Sequence, residues 1–127
     1  MEEVETRLFK CVRTPIRRYY LPIRNSSLKI WTVSTILDGE AASRTPIVLV
    51  HGFCGGVALW IHNIDELSES GQRPFHAFDL LGFGRSSRPL FSADPIVAET
   101  QFIESIEDWR REMKLEQMIL LGHSFGG

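Results

Sequence analysis

Met118-Ile119-Leu120-Leu121-Gly122-His123-Ser124-Phe125-Gly126-Gly127 is the stretch that decides how this chain is read. Four apolar residues suited to a strand run without a break into a Gly-x-Ser-x-Gly turn. A serine at so sharp a strand-to-helix turn is held strained, with its hydroxyl exposed. Small neighbours let such a turn close, and Gly122 and Gly126 supply them. Ser124 is therefore the candidate nucleophile, with an ordinary glycine-rich turn as the plain alternative.

The same grammar recurs twice upstream. Ile47-Val48-Leu49-Val50 is a short apolar run between Pro46 and a glycine-rich turn, the pattern of a strand buried on both faces of a parallel sheet. Phe75 to Leu81 runs likewise into Gly82-Phe83-Gly84. Between these runs lie two helical spacings. Trp60, Ile61, Ile64 and Leu67 share one helical face, and Gly71 is placed to end that helix. A second helix opens at Asp94-Pro95, a side-chain cap followed by Pro at the first helical position, and its apolar face is Ala98, Phe102, Ile106, Trp109 and Met113. Leu28 to Ile36 alternates as an early antiparallel strand should. Strand, helix, strand, helix, strand implies an α/β chain with a mostly parallel sheet and covering helices. Residues 1–10 read as a peripheral amino-terminal segment and residues 11–127 as one unit.

Composition narrows the class. The chain has 127 residues, 43% hydrophobic and 24% charged, which excludes disorder throughout. No apolar run approaches the roughly 20 residues of a membrane-spanning helix. The acidic start Met1-Glu2-Glu3-Val4-Glu5 has no apolar stretch behind it, so an intracellular location is expected. Cys11 and Cys54 match no paired metal-ligand spacing and read as reduced thiols; no metal and no cofactor is expected. The net charge of −2 hides a segregation: residues 1–37 hold seven Lys/Arg against three Glu, while residues 38–127 hold seven Lys/Arg against thirteen Asp/Glu. Basic residues interleaved with Phe9, Tyr19, Tyr20 and Trp31 would suit an anionic phospholipid surface. They would equally protect an exposed edge strand from aggregation. No nucleic-acid partner is expected, since no reader motif accompanies the charge.

Acyl chemistry at a serine needs two backbone N–H groups aimed at the oxygen that becomes negative. His51-Gly52-Phe53-Cys54-Gly55-Gly56 follows the first parallel strand and supplies the turn, with Gly52 and Gly55 as its structural glycines. The donors are assigned to the N–H groups of Phe53 and of Phe125, the residue after the nucleophile. A phosphate cradle is the competing use of such a turn, but neither G-x-x-x-x-G-K nor G-x-G-x-x-G occurs at residues 51–60. The loop Asp79 to Pro89 reads as a tight turn beside the cleft; Arg85 or Arg88 touching an anionic head group is the alternative. Of the four histidines, His51 and His123 lie in the two turns, His62 on a helix and His76 in a strand, so none is placed as the base.

Together the three loops resemble the α/β-hydrolase superfamily. Asp79 to Pro89, the helix around Gln101 to Arg110, Met118 to His123, Phe9-Lys10-Cys11-Val12 and Lys29-Ile30-Trp31-Thr32 are similar, more narrowly, to the N-acyl-phospholipid lysophospholipase and lipid-droplet lipase-coactivator subfamily. The resemblance implies the amino-terminal part of an α/β-hydrolase fold, residues 11–127 forming a partial domain that stops after the nucleophile strand. In this fold the order is serine, acid, histidine, so both partners of Ser124 are expected after Gly127, and residues 1–127 alone are expected to be inactive. The family divides at the elbow: its hydrolytic members keep serine, whereas the coactivator carries asparagine and binds a lipase. Ser124 falls on the hydrolytic side. The resemblance implies acyl-ester hydrolysis of phospholipid or lysophospholipid substrates in lipid homeostasis, with lysophosphatidate acyltransfer ascribed to the family as well. A non-catalytic fragment that binds lipid or a lipase is the rival. The implied setting is the cytoplasm or a lipid-droplet, mitochondrial or other membrane surface. Two departures stand out: the coactivator's Trp-rich droplet-anchoring extension is missing from the first residues, and Cys54 stands where the family's turn usually has glycine, which demands either a negative φ or backbone strain.

Overall fold

The computed structural model describes residues 2–127. A helix α1 (Glu2–Leu8) leads into a hairpin of β1 (Ile16–Ile23) and β2 (Leu28–Thr35), then a short α2 (Gly39–Ser43). β3 (Ile47–Val50), α3 (Ile64–Gly71), β4 (Phe75–Phe78), α4 (Pro95–Glu112) and β5 (Ile119–Gly122) follow, with 3-10 turns at Val57–Trp60 and Ser124–Gly126. The sheet order is β1-β2-β4-β3-β5. β1, β2 and β4 pair antiparallel, whereas β4, β3 and β5 are mutually parallel neighbours.

Period-two alternation distributes the core over both faces of the sheet. Trp31, Val33, Leu49, Phe75 and Ala77 point to one face, where Val57, Trp60 and Ile64 close over them. Ile30, Val48, Val50 and Phe78 point to the other, against Trp109 of α4. A strand with no solvent face reads as an unbroken apolar run, which is why β3 was legible. Trp109 is fully buried, and its Nε1 donates to Thr32 Oγ1 at 3.0 Å, so a large apolar body and its polar tip are both satisfied. Asp94 caps α4 as its sequence implies: Oδ1 accepts from Ile96 N and Val97 N at 2.9 and 3.1 Å.

Three details differ from the sequence reading. Residues 1–10 are expected to be peripheral; Met1 lies outside the described residues, and residues 2–10 are docked: Phe9 is in the core, and buried Glu5 accepts from Trp31 Nε1 at 3.0 Å. The helix expected from Trp60 starts only at Ile64, after a 3-10 turn, and its left-handed closing residue is Gln72 (φ 42°) rather than Gly71. The basic front does not form one patch. Arg13 pairs with Asp65 and Glu69 of α3, Arg24 with Glu104 and Asp108 of α4 on the opposite face, and Arg18 with Glu5. The segregated charges of the two parts of the chain therefore meet each other. At the far edge, Ile119, Leu120 and Leu121 of β5 are exposed.

His76 lies in β4 with Nδ1 2.8 Å from Ser34 Oγ and its ring edge-on to Trp109. Burial, with the nearby charge of Arg17 second, lowers its pKa from 6.5 to about 4. The folded imidazole therefore stays neutral where the unfolded one takes up a proton, so stability is lost as pH falls from about 6.5 towards 4, by at most about 3 kcal/mol. Glu5 and Asp79, raised by burial, act in the opposite sense as acidic pH protonates them. The difference between the parent and His76→Asn isolates the imidazole: urea unfolding at pH 7 and 5 should show the variant losing less stability on acidification.

Candidate active site

The parallel register sets Val50 of β3 opposite Gly122 of β5 and Phe78 of β4, so the turns that follow all three strands emerge together. Carboxyl ends of parallel strands are where open α/β sheets bind their ligands. His123 N donates to Val50 O at 3.0 Å, tying the elbow to β3. Ser124 then has φ 56°, a left-handed conformation that a non-glycine residue adopts only under constraint. The constraint is backbone packing. A Cβ on Gly126 would lie 2.6 Å from His51 O, and one on Gly122 would overlap the Gly126 carbonyl.

The turn after β3 lies directly against the elbow. A Cβ on Gly52 would stand 2.9 Å from both Ser124 Cβ and His123 O, so glycine alone permits the contact. Gly55 N donates to Gly52 O at 3.0 Å and closes the turn. Phe53 and Phe125 are both exposed, at 72% and 51%. Among the described residues neither backbone N–H donates a hydrogen bond within the chain. Cys54 adopts φ 57°, so of its two possibilities the structure has the strained one.

Asp79 joins the third loop to the second. Its Oδ1 accepts from Val57 N at 2.7 Å and its Oδ2 from Arg85 N at 2.8 Å, and its carboxylate fills the space that any side chain at Gly84 would need. Burial pushes the Asp79 carboxyl up, and those two amides oppose the shift. Both arginines of this loop make contacts within the chain, although Arg88 stays exposed. The Arg85 guanidinium stacks 3.7 Å from the Trp31 ring centroid and pairs with Glu2 and Glu5. Arg88 donates to the Gly84 and Ser86 carbonyls. Both are loop-organising residues.

A cavity of about 840 Å³ opens beside Ser124, lined by Phe125, Leu120 and the Ala98, Phe102, Ile103 and Ile106 face of α4. Phe83 sits at the junction of its aromatic surroundings, with its ring 5.7 Å from those of His51 and Phe53, 6.3 Å from Phe125 and 6.4 Å from Phe102. The sequence reading assigned α4's apolar stripe to core packing alone; in the structure part of the stripe, Phe102 and Ile106, also faces this cavity. No local pattern in the sequence distinguishes a core aromatic from a lining one, so Phe102 could not be told apart from Trp109 on the same stripe. No group of metal-binding side chains occurs among the described residues.

A family model described as alpha/beta hydrolase fold matches residues 45–127. The chain belongs to the α/β-hydrolase family. It is 51% identical, over its whole length, to the (lyso)-N-acylphosphatidylethanolamine lipases of Bos taurus and Homo sapiens, and 47% identical to the 1-acylglycerol-3-phosphate O-acyltransferase ABHD5 of Mus musculus. It covers 36% and 35% of those relatives, so the chain spans about a third of their length. Among solved structures, a haloalkane dehalogenase, DatA, from Agrobacterium tumefaciens superposes with a TM-score of 0.70 at 27% identity, over 88% of this chain and 34% of that one. A membrane phospholipase A superposes at 0.72 over 98% of this chain and 35% of that one; at 22% identity the likeness is one of fold. The part of the α/β-hydrolase fold present here holds the Gly-x-Ser-x-Gly turn, its neighbouring turn and the loop that braces them.

The two strained or crowded backbone positions respond oppositely to substitution. Gly126→Ala forces a Cβ against main-chain oxygens that cannot swing aside, and should lower the unfolding free energy by about 1–3 kcal/mol. Cys54→Gly removes left-handed strain of about 1 kcal/mol at the cost of a more flexible unfolded chain, and should leave stability unchanged or slightly raised. Chemical denaturation of both variants checks the pair.

Proposed function

We propose that Ser124 is the nucleophile of an acyl-ester hydrolase acting on phospholipid-derived substrates. The observation that carries this reading is the left-handed Ser124 at the end of β5, packed on the Phe53 turn and open to an apolar cavity. Its Oγ attacks the ester carbonyl carbon while a histidine supplied from outside residues 1–127 takes the proton. The Phe53 and Phe125 N–H groups receive the oxyanion. Collapse of the tetrahedral species breaks the ester bond, the histidine returns its proton to the departing alcohol, and water then releases the acyl group from Ser124. Interception of that acyl-enzyme by a lysophospholipid hydroxyl instead of water gives acyl transfer, in keeping with a relative named for lysophosphatidate acylation.

Two features support a lipid substrate. The relatives' names specify N-acyl phospholipids and acylglycerol phosphates, and the cavity walls are mostly aliphatic and aromatic, with Glu99 and Glu107 of α4 among them. Exposed Phe53, Leu90 and Ile96 stand on segments at the same end of the sheet and suit contact with an intracellular membrane or lipid-droplet surface. His51 has both ring nitrogens engaged inside the fold, and His76 lies in β4 with Nδ1 on Ser34 Oγ, so neither is placed to activate the serine.

The test is hydrolysis of N-acyl lysophosphatidylethanolamine by the protein at its relatives' full length, with transfer to lysophosphatidate measured in parallel. Ser124→Ala should lower kcat by at least about a thousandfold, and residues 1–127 alone should give no turnover. Turnover by Ser124→Ala within about tenfold of the parent contradicts the assignment.

A further inference from the structure

We infer that His51 is a positioning residue: its imidazole fixes the Gly52–Phe53 peptide so that the Phe53 N–H is presented to the reacting oxygen. This rests on the function proposed above and adds a role for a side chain that never touches substrate.

His51 is fully buried at the end of β3, and its protonation pattern is dictated by its two partners. Leu80 N, 3.0 Å from Nε2, can only donate, so Nε2 carries no proton. The proton of the neutral ring is then on Nδ1, which donates to the Gly52 carbonyl at 2.7 Å. A carbonyl oxygen and the N–H that follows it are opposite edges of one planar trans peptide. Holding the Gly52 oxygen on the buried imidazole therefore turns the Phe53 N–H outward. The turn lies against the elbow there, with the Cβ position of Gly52 2.9 Å from Ser124 Cβ. Gly55 N gives the same carbonyl a second bond, at 3.0 Å, but Gly52 has no side chain to resist rotation of its peptide. His51 supplies the link to a rigid support, because Leu80 directly follows Asp79, which itself holds Val57 N at the far end of the turn. A histidine that merely filled core volume would need no particular tautomer.

The two roles separate by substitution. Asn places an amide nitrogen near the Nδ1 position and keeps a donor for Gly52, whereas Leu fills the space and keeps none. In the protein at its relatives' full length, His51→Asn should keep kcat within about tenfold of the parent, and His51→Leu should lower it by about a hundredfold or more with KM changed less than about threefold. Stability should not follow that order, since Leu packs at least as well as Asn. In the unsubstituted 127-residue chain, long-range proton–nitrogen NMR should find the His51 ring with Nδ1 protonated and Nε2 bare. The inference is overturned by kcat of His51→Leu within about threefold of the parent, by equal losses in Asn and Leu variants that both fold, or by an Nε2-protonated ring. Ser124→Ala is the control: if it retains turnover, the nucleophile assignment fails, whereas a dead Ser124→Ala with no Asn-over-Leu preference defeats only the role of His51.

Discussion

The site depends on the parallel pairing of β3 with β5. Val50 opposite Gly122 brings the end of one strand level with the end of the other, and the two turns that follow have to share one small space. Backbone fills it: Gly126 lies against the Val50 and His51 carbonyls, and Gly52 lies against Ser124. Because neither turn can relax without displacing the other, Ser124 is kept in a left-handed conformation that it would leave if free. The strain is sustained by the sheet, whose β3 is buried on both faces.

A polar framework braces this contact from below. His51 ties the first turn to Leu80, Asp79 ties its far end to Arg85, and Arg85 is stacked on Trp31 and paired with Glu5 of α1. The amino-terminal helix thus reaches the site through two buried charges of opposite sign rather than through direct contact. Burial raises the carboxyls of Asp79 and Glu5, and each is compensated by donors fixed to a separate element.

What could be read from the residues follows from how local the causes are. β3, β5 and the capped start of α4 rest on chemistry within a few residues, an unbroken apolar run or an Asp-Pro pair, and they lie where the sequence puts them. The elbow and the Gly-rich turn were legible for the same reason, and their contact follows from strand order. β1 was hidden because Arg17-Arg18-Tyr19-Tyr20 does not alternate and Pro22 reads as a breaker, although an edge strand tolerates both. Burial of Glu5 and Phe9 depends on Trp31 and on Arg85, 80 residues away, which no window of sequence contains. The intramolecular pairing of Arg13 and Arg24 with the acidic helices is non-local in the same way.

A strained serine whose turn is locked against the Phe53 turn is a claim about one hydroxyl. The most direct measurement is to treat the protein at its relatives' full length with an alkyl fluorophosphonate and map the adduct by peptide mass spectrometry. The account predicts a single phosphonylated serine, Ser124, and loss of the adduct in Ser124→Ala. An unmodified Ser124 in a folded protein, or an adduct on a different serine, would contradict it.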